Sequence, residues 1–113
     1  MINSQQLNEI VGSIALQAKS ILGDSLERII LYGSYARMDY NYESDVDVLL
    51  LTNLPASNLR LYRTKINLLA SRLSLEYDVL VSVTLKDVAT FYQYQNDIPF
   101  YSNIMREGIE YRA

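Results

Sequence analysis

Apolar residues recur at helical spacing in two long stretches of this chain. The first predicts an amphipathic helix over residues 4–22, with Ser4 as its candidate cap and Gly23 as the residue that ends it. The second begins after a turn at residues 53–57 and predicts a helix that reaches about residue 74. Each stretch must bury its apolar side against another element.

Shorter apolar runs separate and follow the two helices. In chain order, the pattern predicts strands over 26–32, 45–52 and 77–83, helices over 86–94 and 99–106, and a last short strand over 109–112. Because strands and helices interleave, we expect an α/β (α+β) fold in which helices pack against a mixed β-sheet.

Composition narrows the chemistry. The chain has 113 residues, no Cys and no His, and a net charge of -3. Without His or Cys, catalysis must use carboxylates, Arg, Lys, hydroxyl groups or a bound ion. The acidic balance argues against direct nucleic-acid binding. No signal peptide or apolar stretch of membrane-spanning length is present, so we expect a cytoplasmic protein with no membrane contact.

Two acids, Asp45 and Asp47, open the second predicted strand. Side chains two apart in a strand share a face, so the two carboxylates repel each other. At about 4 Å and a surface-like dielectric, that repulsion costs on the order of 4 kcal/mol. A cation between them removes the cost, and Mg²⁺ prefers such oxygen ligands. The alternative is a pair of solvated acids on an edge strand, where charge limits aggregation.

A third acid, Asp78, lies near the start of the third predicted strand. If that strand runs beside the second, Asp78 can join Asp45 and Asp47 and complete a site for two metal ions. A strand-start acid can also simply cap a turn, and that alternative stays open.

Gly33 and Ser34 follow the first predicted strand. Glycine allows close backbone approach, and the Ser hydroxyl with nearby N–H groups can bind a phosphate. Such a turn is also a common strand terminator. Arg37 is a candidate for phosphate contact or for a structural ion pair with Asp39, Glu43 or a strand carboxylate. Ser44 precedes the carboxylates and is a candidate for fixing the backbone there.

These motifs together resemble the nucleotidyltransferase superfamily that includes DNA polymerase beta. The matching residues are Gly33, Ser34, Ala36, Arg37, Ser44, Asp45, Asp47 and Asp78. The small size is most similar to the minimal nucleotidyltransferase (MNT) branch, and the tail over residues 99–109 is similar to the end of MNT domains. The resemblance implies a polymerase beta palm-like fold, with residues 1–113 as one nucleotidyltransferase domain.

The resemblance also implies an activity: transfer of AMP from ATP to a hydroxyl group, with two Mg²⁺ ions. Asp45, Asp47 and Asp78 would be catalytic metal ligands, and Asp78 would help to activate the acceptor. Gly33 and Ser34 would bind the triphosphate, with Arg37 and Ser44 as further candidates for the nucleotide site. Small MNT proteins commonly act as antitoxins of HEPN-type toxins, which implies a protein partner and a tyrosine acceptor.

One position departs from the family pattern. Met38 stands where the family usually has Gly, and Met resists the helix-ending dihedral that Gly permits. The loop after it is therefore expected to follow another path. Two alternatives remain: a module that neutralises a partner by contact with little or no catalysis, and a nucleotidyltransferase that modifies a small molecule such as an antibiotic.

Overall fold

A computed structural model describes residues 2–112. Its helices and strands, in chain order, are α1 (Ser4–Leu22), β1 (Leu26–Tyr32), α2 (Ser34–Arg37), β2 (Val46–Thr52), α3 (Arg60–Tyr77), β3 (Val81–Asp87), α4 (Val88–Tyr94), α5 (Pro99–Glu107) and β4 (Ile109–Tyr111). Short 3-10 turns at Gly23–Ser25 and Ala56–Asn58 join α1 to β1 and β2 to α3. The predicted α+β class is confirmed.

The four strands form one mixed sheet in the order β3-β2-β1-β4. Strand β1 lies antiparallel to both β2 and β4, while β2 and β3 are parallel. Tyr32 faces Asp47 across the β1–β2 ladder, and Ser82 faces Asp47 across the β2–β3 ladder. The end of β1 and the starts of β2 and β3 therefore meet at one end of the sheet.

Helices cover the two faces of the sheet unequally. Helices α1 and α3 pack over one face and enclose the larger core, which includes Ile14, Val48 and Ile66. Helices α4 and α5 cover the other face with a smaller core around Leu49 and Phe91. Asp47 is only partly buried, on the thinly covered face, because Val46 and Val48 take the inward positions of β2.

Helix α1 shows how local sequence sets an element boundary. Asn3, rather than Ser4, is the N-cap: its side chain accepts from the Gln6 N–H, and the Gln6 side chain accepts from the Asn3 N–H. Gly23 ends the helix at φ 61°, a backbone conformation that glycine adopts without strain. The prediction of Gly23 was right and that of Ser4 was wrong by one residue.

The predicted third strand starts too early. Helix α3 continues to Tyr77, and Asp78 is its C-cap in the left-handed conformation, with φ 53°. Strand β3 begins only at Val81. The Ser74 side chain accounts for this start, since its hydroxyl accepts from the Val81 N–H at 2.8 Å and ties the strand to the helix. Asp78 is therefore an exposed helix-terminal residue and is not part of the sheet.

Among the helices of residues 2–112, none combines the length and the apolar character that crossing a bilayer requires.

Candidate active site

The Gly33 turn lies directly against the Asp47 carboxylate. A Cβ atom added to Gly33 would stand 2.6 Å from Asp47 Oδ2, closer than two such atoms can approach. Gly33 also has φ 78° and ψ -159°, a backbone region essentially restricted to glycine. Glycine is thus required here twice, for its dihedrals and for the space that the carboxylate occupies.

Asp47 carries an unfavourable charge. Partial burial and the nearby Asp45 carboxylate raise the pKa of Asp47 to about 6, although Arg37 pulls it in the opposite direction. Asp45 itself lies just before β2 and is partly exposed. The two acids are therefore neighbours, as predicted, and they form a concentration of negative charge that the fold does not neutralise.

Ser34 and Met38 bound the short helix α2. Ser34 is its first residue, directly after Gly33, and its carbonyl accepts from the Asp39 N–H at 3.1 Å. Met38 ends α2 in the left-handed conformation, at φ 67° and ψ 24°. Met38 therefore adopts the dihedral that a glycine would hold, and its side chain lies in solvent.

The loop from α2 to β2 is organised by its own polar residues. The Ser44 hydroxyl accepts from the Asn41 N–H at 2.9 Å, and the Asn41 side chain accepts from the Glu43 N–H at 2.8 Å. Buried Tyr35 stacks on Tyr40 with ring centroids 4.4 Å apart, which anchors the loop to the core. Ser44 thus fixes the backbone just before the carboxylates.

Arg37 makes structural ion pairs. Its Nε donates to Asp39 at 3.1 Å, and its Nη1 lies 3.5 Å from a carboxylate oxygen of Glu107 on α5. The hydrogen bond with Asp39 is the main reason that the pKa of Arg37 is raised further. Arg37 therefore joins the loop to α5 beside the carboxylates. Of the two roles considered from the sequence, phosphate contact and a structural ion pair, these contacts correspond to the ion pair.

The donor set can be tested against Mg²⁺. Two neighbouring carboxylates, of which Asp47 has a raised pKa, suit one divalent cation, which commonly binds through one or two carboxylates and substrate phosphates. A set of three acidic or His side chains placed to hold a metal does not occur within residues 2–112. Asp78 is thus not brought together with Asp45 and Asp47, and its role as a third ligand stays a prediction.

A depression of about 270 Å³ opens beside Asp47. Gly33 and Arg37 line one side, and α5 lines the other through Phe100, Asn103 and Glu107. A larger cavity of about 520 Å³ adjoins it and shares Phe100 as a wall. Asp47 therefore faces open space on one side of the sheet, with room for a bound ligand.

Sequence reasoning missed the α5 residues of this site. Glu107 and Phe100 come from the C-terminal part of the chain, and Phe100 packs edge-on against Tyr32 with centroids 5.6 Å apart. The resemblance of residues 99–109 to the end of MNT domains does not indicate that this segment returns to the sheet beside Asp47. The sequence predicted a helix over residues 99–106 but not the position of that helix in the fold.

A glycine turn that lies against one of two neighbouring carboxylates at the start of a strand is typical of enzymes that bind a nucleotide and a metal ion. The family described as nucleotidyltransferase domain matches residues 11–109, so the chain belongs to the nucleotidyltransferase family. The family predicted from the sequence resemblance is confirmed.

Two relatives from Methanocaldococcus jannaschii carry the name protein adenylyltransferase. One is 46% identical over 78 residues, which cover 68% of this chain and 76% of the relative. The other is 30% identical over 108 residues, which cover 96% of each chain.

Solved structures with the same fold include chains of toxin–antitoxin complexes. One, a toxin–antitoxin crystallised with AMP-PNP, has a TM-score of 0.54 and 17% identity over 99% of this chain and 75% of that chain. Another contains a tri-AMPylated Shewanella oneidensis HEPN toxin in complex with its MNT antitoxin, with a TM-score of 0.52 and 17% identity over 99% of this chain and 74% of that chain. At this identity the likeness concerns the fold.

Proposed function

We propose that this chain transfers AMP from ATP to a hydroxyl group of a partner protein. The observation that carries the proposal is the contact between Gly33 and the Asp47 carboxylate, which makes the glycine turn and the acidic pair one site. Gly33 and Ser34 would hold a triphosphate close to Asp45 and Asp47, and these two carboxylates would hold Mg²⁺. The names of the two archaeal relatives support a protein as acceptor.

The chain's own residues would position the reaction. Gly33 lets the turn lie directly against the Asp47 carboxylate, Ser34 offers a hydroxyl, and Ser44 holds the backbone that presents the acids. A bound Mg²⁺ supplies charge neutralisation at the phosphates. The acceptor oxygen bonds to the α-phosphorus while the bond from that phosphorus to the bridging oxygen breaks. Pyrophosphate leaves, and the hydroxyl proton passes to water at the open side of the depression.

The partner we propose is a HEPN-type toxin, with this chain as its antitoxin. The proposal is supported by the shared fold with antitoxin chains in toxin–antitoxin complexes. It is also supported by the net charge of -3, which disfavours a nucleic acid as acceptor.

Incubation with labelled ATP tests the proposal. We expect ATP labelled at the α-phosphate, with Mg²⁺, to label the product of the neighbouring gene, whereas ATP labelled at the γ-phosphate should not. The Asp45→Asn, Asp47→Asn double variant should lose the labelling. Asp24→Asn, the same change in an exposed acid before the other end of β1, should retain it. Label from γ-labelled ATP would contradict AMP transfer.

A second function, neutralisation of the partner by contact, is favoured by the position of Asp78 outside the carboxylate site. Thermal unfolding with Mg²⁺ and ATP separates the two. Ligand at a hundred times its dissociation constant adds about 2.7 kcal/mol to the free energy of unfolding. An unchanged midpoint at millimolar Mg²⁺ and ATP, together with a stable complex with the partner, would establish contact as the function.

A further inference from the structure

The outer face of α3 carries three exposed leucines that the core does not use. Leu61, Leu68 and Leu75 are 77%, 67% and 86% exposed. Their seven-residue spacing places them on one stripe of the helix, about 21 Å long at 1.5 Å per residue. The core side of α3 is formed by other residues: Ile66, Leu69, Ala70 and Leu73.

Cations flank this stripe. Arg60, Lys65 and Arg72 are exposed on α3, and within residues 2–112 none of them forms an ion pair with a carboxylate. Four cations elsewhere do have such partners: Lys19, Arg28, Arg37 and Arg106. In a chain with a net charge of -3, the apolar stripe thus coincides with a local excess of positive charge.

We propose that this leucine stripe (Leu61, Leu68 and Leu75, with Arg60, Lys65 and Arg72 beside them) docks a helix of a partner protein. The partner helix would present apolar side chains at three- and four-residue spacing, with Asp or Glu next to them. Apolar contact supplies the affinity, and opposite charges at the rim supply orientation and selectivity.

A second copy of this chain is a poorer occupant. Pairing two stripes would bring the arginines and lysines of one α3 against those of the other, and like charges across an interface are unfavourable. Glu76, in the last turn, is the only acidic residue of α3. An acidic partner removes this repulsion.

Docking here is separate from the carboxylate site. One edge of α3 lines the larger cavity through Arg63, Ile66 and Asn67, but the three leucines of the stripe line neither that cavity nor the depression beside Asp47. A helix held on the stripe therefore leaves the depression open. The inference does not require the proposed AMP transfer, so the two can fail independently.

Two designed peptide helices can test the surface. Both carry leucine at heptad spacing, one with glutamate and the other with lysine at the flanking positions. We expect the glutamate peptide to bind the wild-type chain, with an affinity that falls as salt is raised, because salt screens the flanking charges. The lysine peptide should bind at least tenfold more weakly. Fluorescence anisotropy of the labelled peptides measures both.

Matched variants assign the binding to the stripe. The Leu61→Gln, Leu68→Gln, Leu75→Gln triple variant should weaken binding of the glutamate peptide at least tenfold, since glutamine keeps helix propensity but removes apolar surface. The control is Leu16→Gln on α1, where Leu16 is 70% exposed and lies on a different helix from the stripe. It should bind as the wild type does. All three proteins should show the same thermal shift with Mg²⁺ and ATP.

Four outcomes would overturn the proposal: no binding of either peptide, equal binding of both peptides, binding that the triple variant leaves unchanged, or a wild-type dimer that the triple variant abolishes. Light scattering examines the second-copy alternative. A wild-type dimer that the triple variant abolishes would assign the stripe to self-association. If the wild type and the triple variant are both monomers, self-association is excluded and the proposal of an acidic partner is supported.

Discussion

The two ends of strand β1 hold charged groups in opposite ways. Beside its start, Arg28 donates to both carboxylate oxygens of Glu110, at 2.6 and 3.2 Å, and to the Tyr92 hydroxyl at 3.0 Å. Beside its other end, Asp47 lies next to Asp45. In the described part of the chain, no cation forms an ion pair with either acid.

The Arg28 end has the pairing expected of a structural contact, and the Asp47 end has, within residues 2–112, the unpaired charges expected of a binding site. At the Arg28 end, each charge has its partner inside the fold, and β1, β4 and α4 are joined by the contact. At the Asp47 end, the fold holds like charges together, which costs stability unless a ligand supplies the opposite charge. Removing the Asp47 charge should therefore raise stability and lower activity, whereas removing the Glu110 charge should lower stability and leave activity unchanged.

The largest effect is expected for Asp47→Asn. Loss of this charge should lower AMP transfer by about 100-fold or more, the scale seen when one electrostatic group of an active site is removed. It should also stabilise the metal-free protein by about 1 kcal/mol at pH 7.5, a value discounted for solvent exposure from the pKa of about 6. Urea unfolding and labelled-ATP assays measure the two effects, and a destabilised variant would contradict the interpretation.

The same residue gives a pH dependence with a defined sign. The pKa of Asp47 is raised in the folded state, so the folded chain binds more protons than the unfolded chain between about pH 4 and 6. Stability of the metal-free wild type should therefore rise as the pH falls through this window. Asp47→Asn should lose that part of the rise, and unchanged slopes in the two proteins would argue against the raised pKa.

Gly33→Ala should be the next largest change. A Cβ would meet the Asp47 carboxylate, and the glycine-only dihedrals add strain of about 1–3 kcal/mol. We expect lower stability and loss of the thermal shift with Mg²⁺ and ATP. The control is Gly12→Ala, inside α1, where an added Cβ meets nothing within 4 Å. That variant should be more stable by about 1 kcal/mol because alanine favours helix.

Glu110→Gln tests the paired end of the comparison. The Arg28 hydrogen bond lowers the pKa of Glu110, so its contribution is present above the unfolded pKa and is lost as the pH falls through the folded one. We expect the free energy of unfolding of the variant to be about 1 kcal/mol lower than that of the wild type at pH 7, a value limited by the exposure of Glu110. At pH 3 the difference between the two proteins should be much smaller. AMP transfer should be unchanged, whereas an equal loss of transfer would link this end to the site.

Met38→Gly should give a smaller change in the opposite direction. Met38 has a left-handed conformation, which costs a residue with a side chain about 1–2 kcal/mol. Glycine removes this cost, but its greater entropy in the unfolded chain offsets part of the stabilisation. We expect stabilisation of about 0.5–1 kcal/mol in urea unfolding, with AMP transfer retained. Destabilisation would mean that Met38 makes contacts that offset its strain.

Sequence patterns predicted those features that depend on neighbours in the chain. The apolar periodicity of residues 4–22 and the Gly23 stop lie within one element, and the Gly33 turn and the acidic pair lie close together in the sequence. Glu107 could not be predicted as a wall of the site, since the fold of α5 across the sheet depends on packing around Phe91 and Ile104. Sequence also could not distinguish Arg37 as a phosphate ligand from Arg37 as a partner of Glu107.

The start of the third strand shows most clearly what the sequence pattern could not predict. The run from Tyr77 to Val83 has the composition of a strand, but Tyr77 still belongs to α3, and Asp78 takes the left-handed C-cap position. Composition does not reveal a tertiary contact such as the hydrogen bond between Ser74 and Val81, which sets where the strand begins. The sequence alternative for Asp78 was a turn cap at the start of a strand, whereas the structure places this residue at the C-cap of α3.

Asp78→Asn is expected to have the smallest effect of these changes. Asparagine tolerates the left-handed conformation as well as aspartate does, so the variant should keep the stability of the wild type. It removes only a charge that lies on an exposed helix end, apart from Asp45 and Asp47, so AMP transfer should change little. The labelled-ATP assay, run beside Asp47→Asn, measures the difference. A loss as large as that of Asp47→Asn would show that residues 78–80 rearrange to bring a third carboxylate to the metal, and the site would then hold two ions.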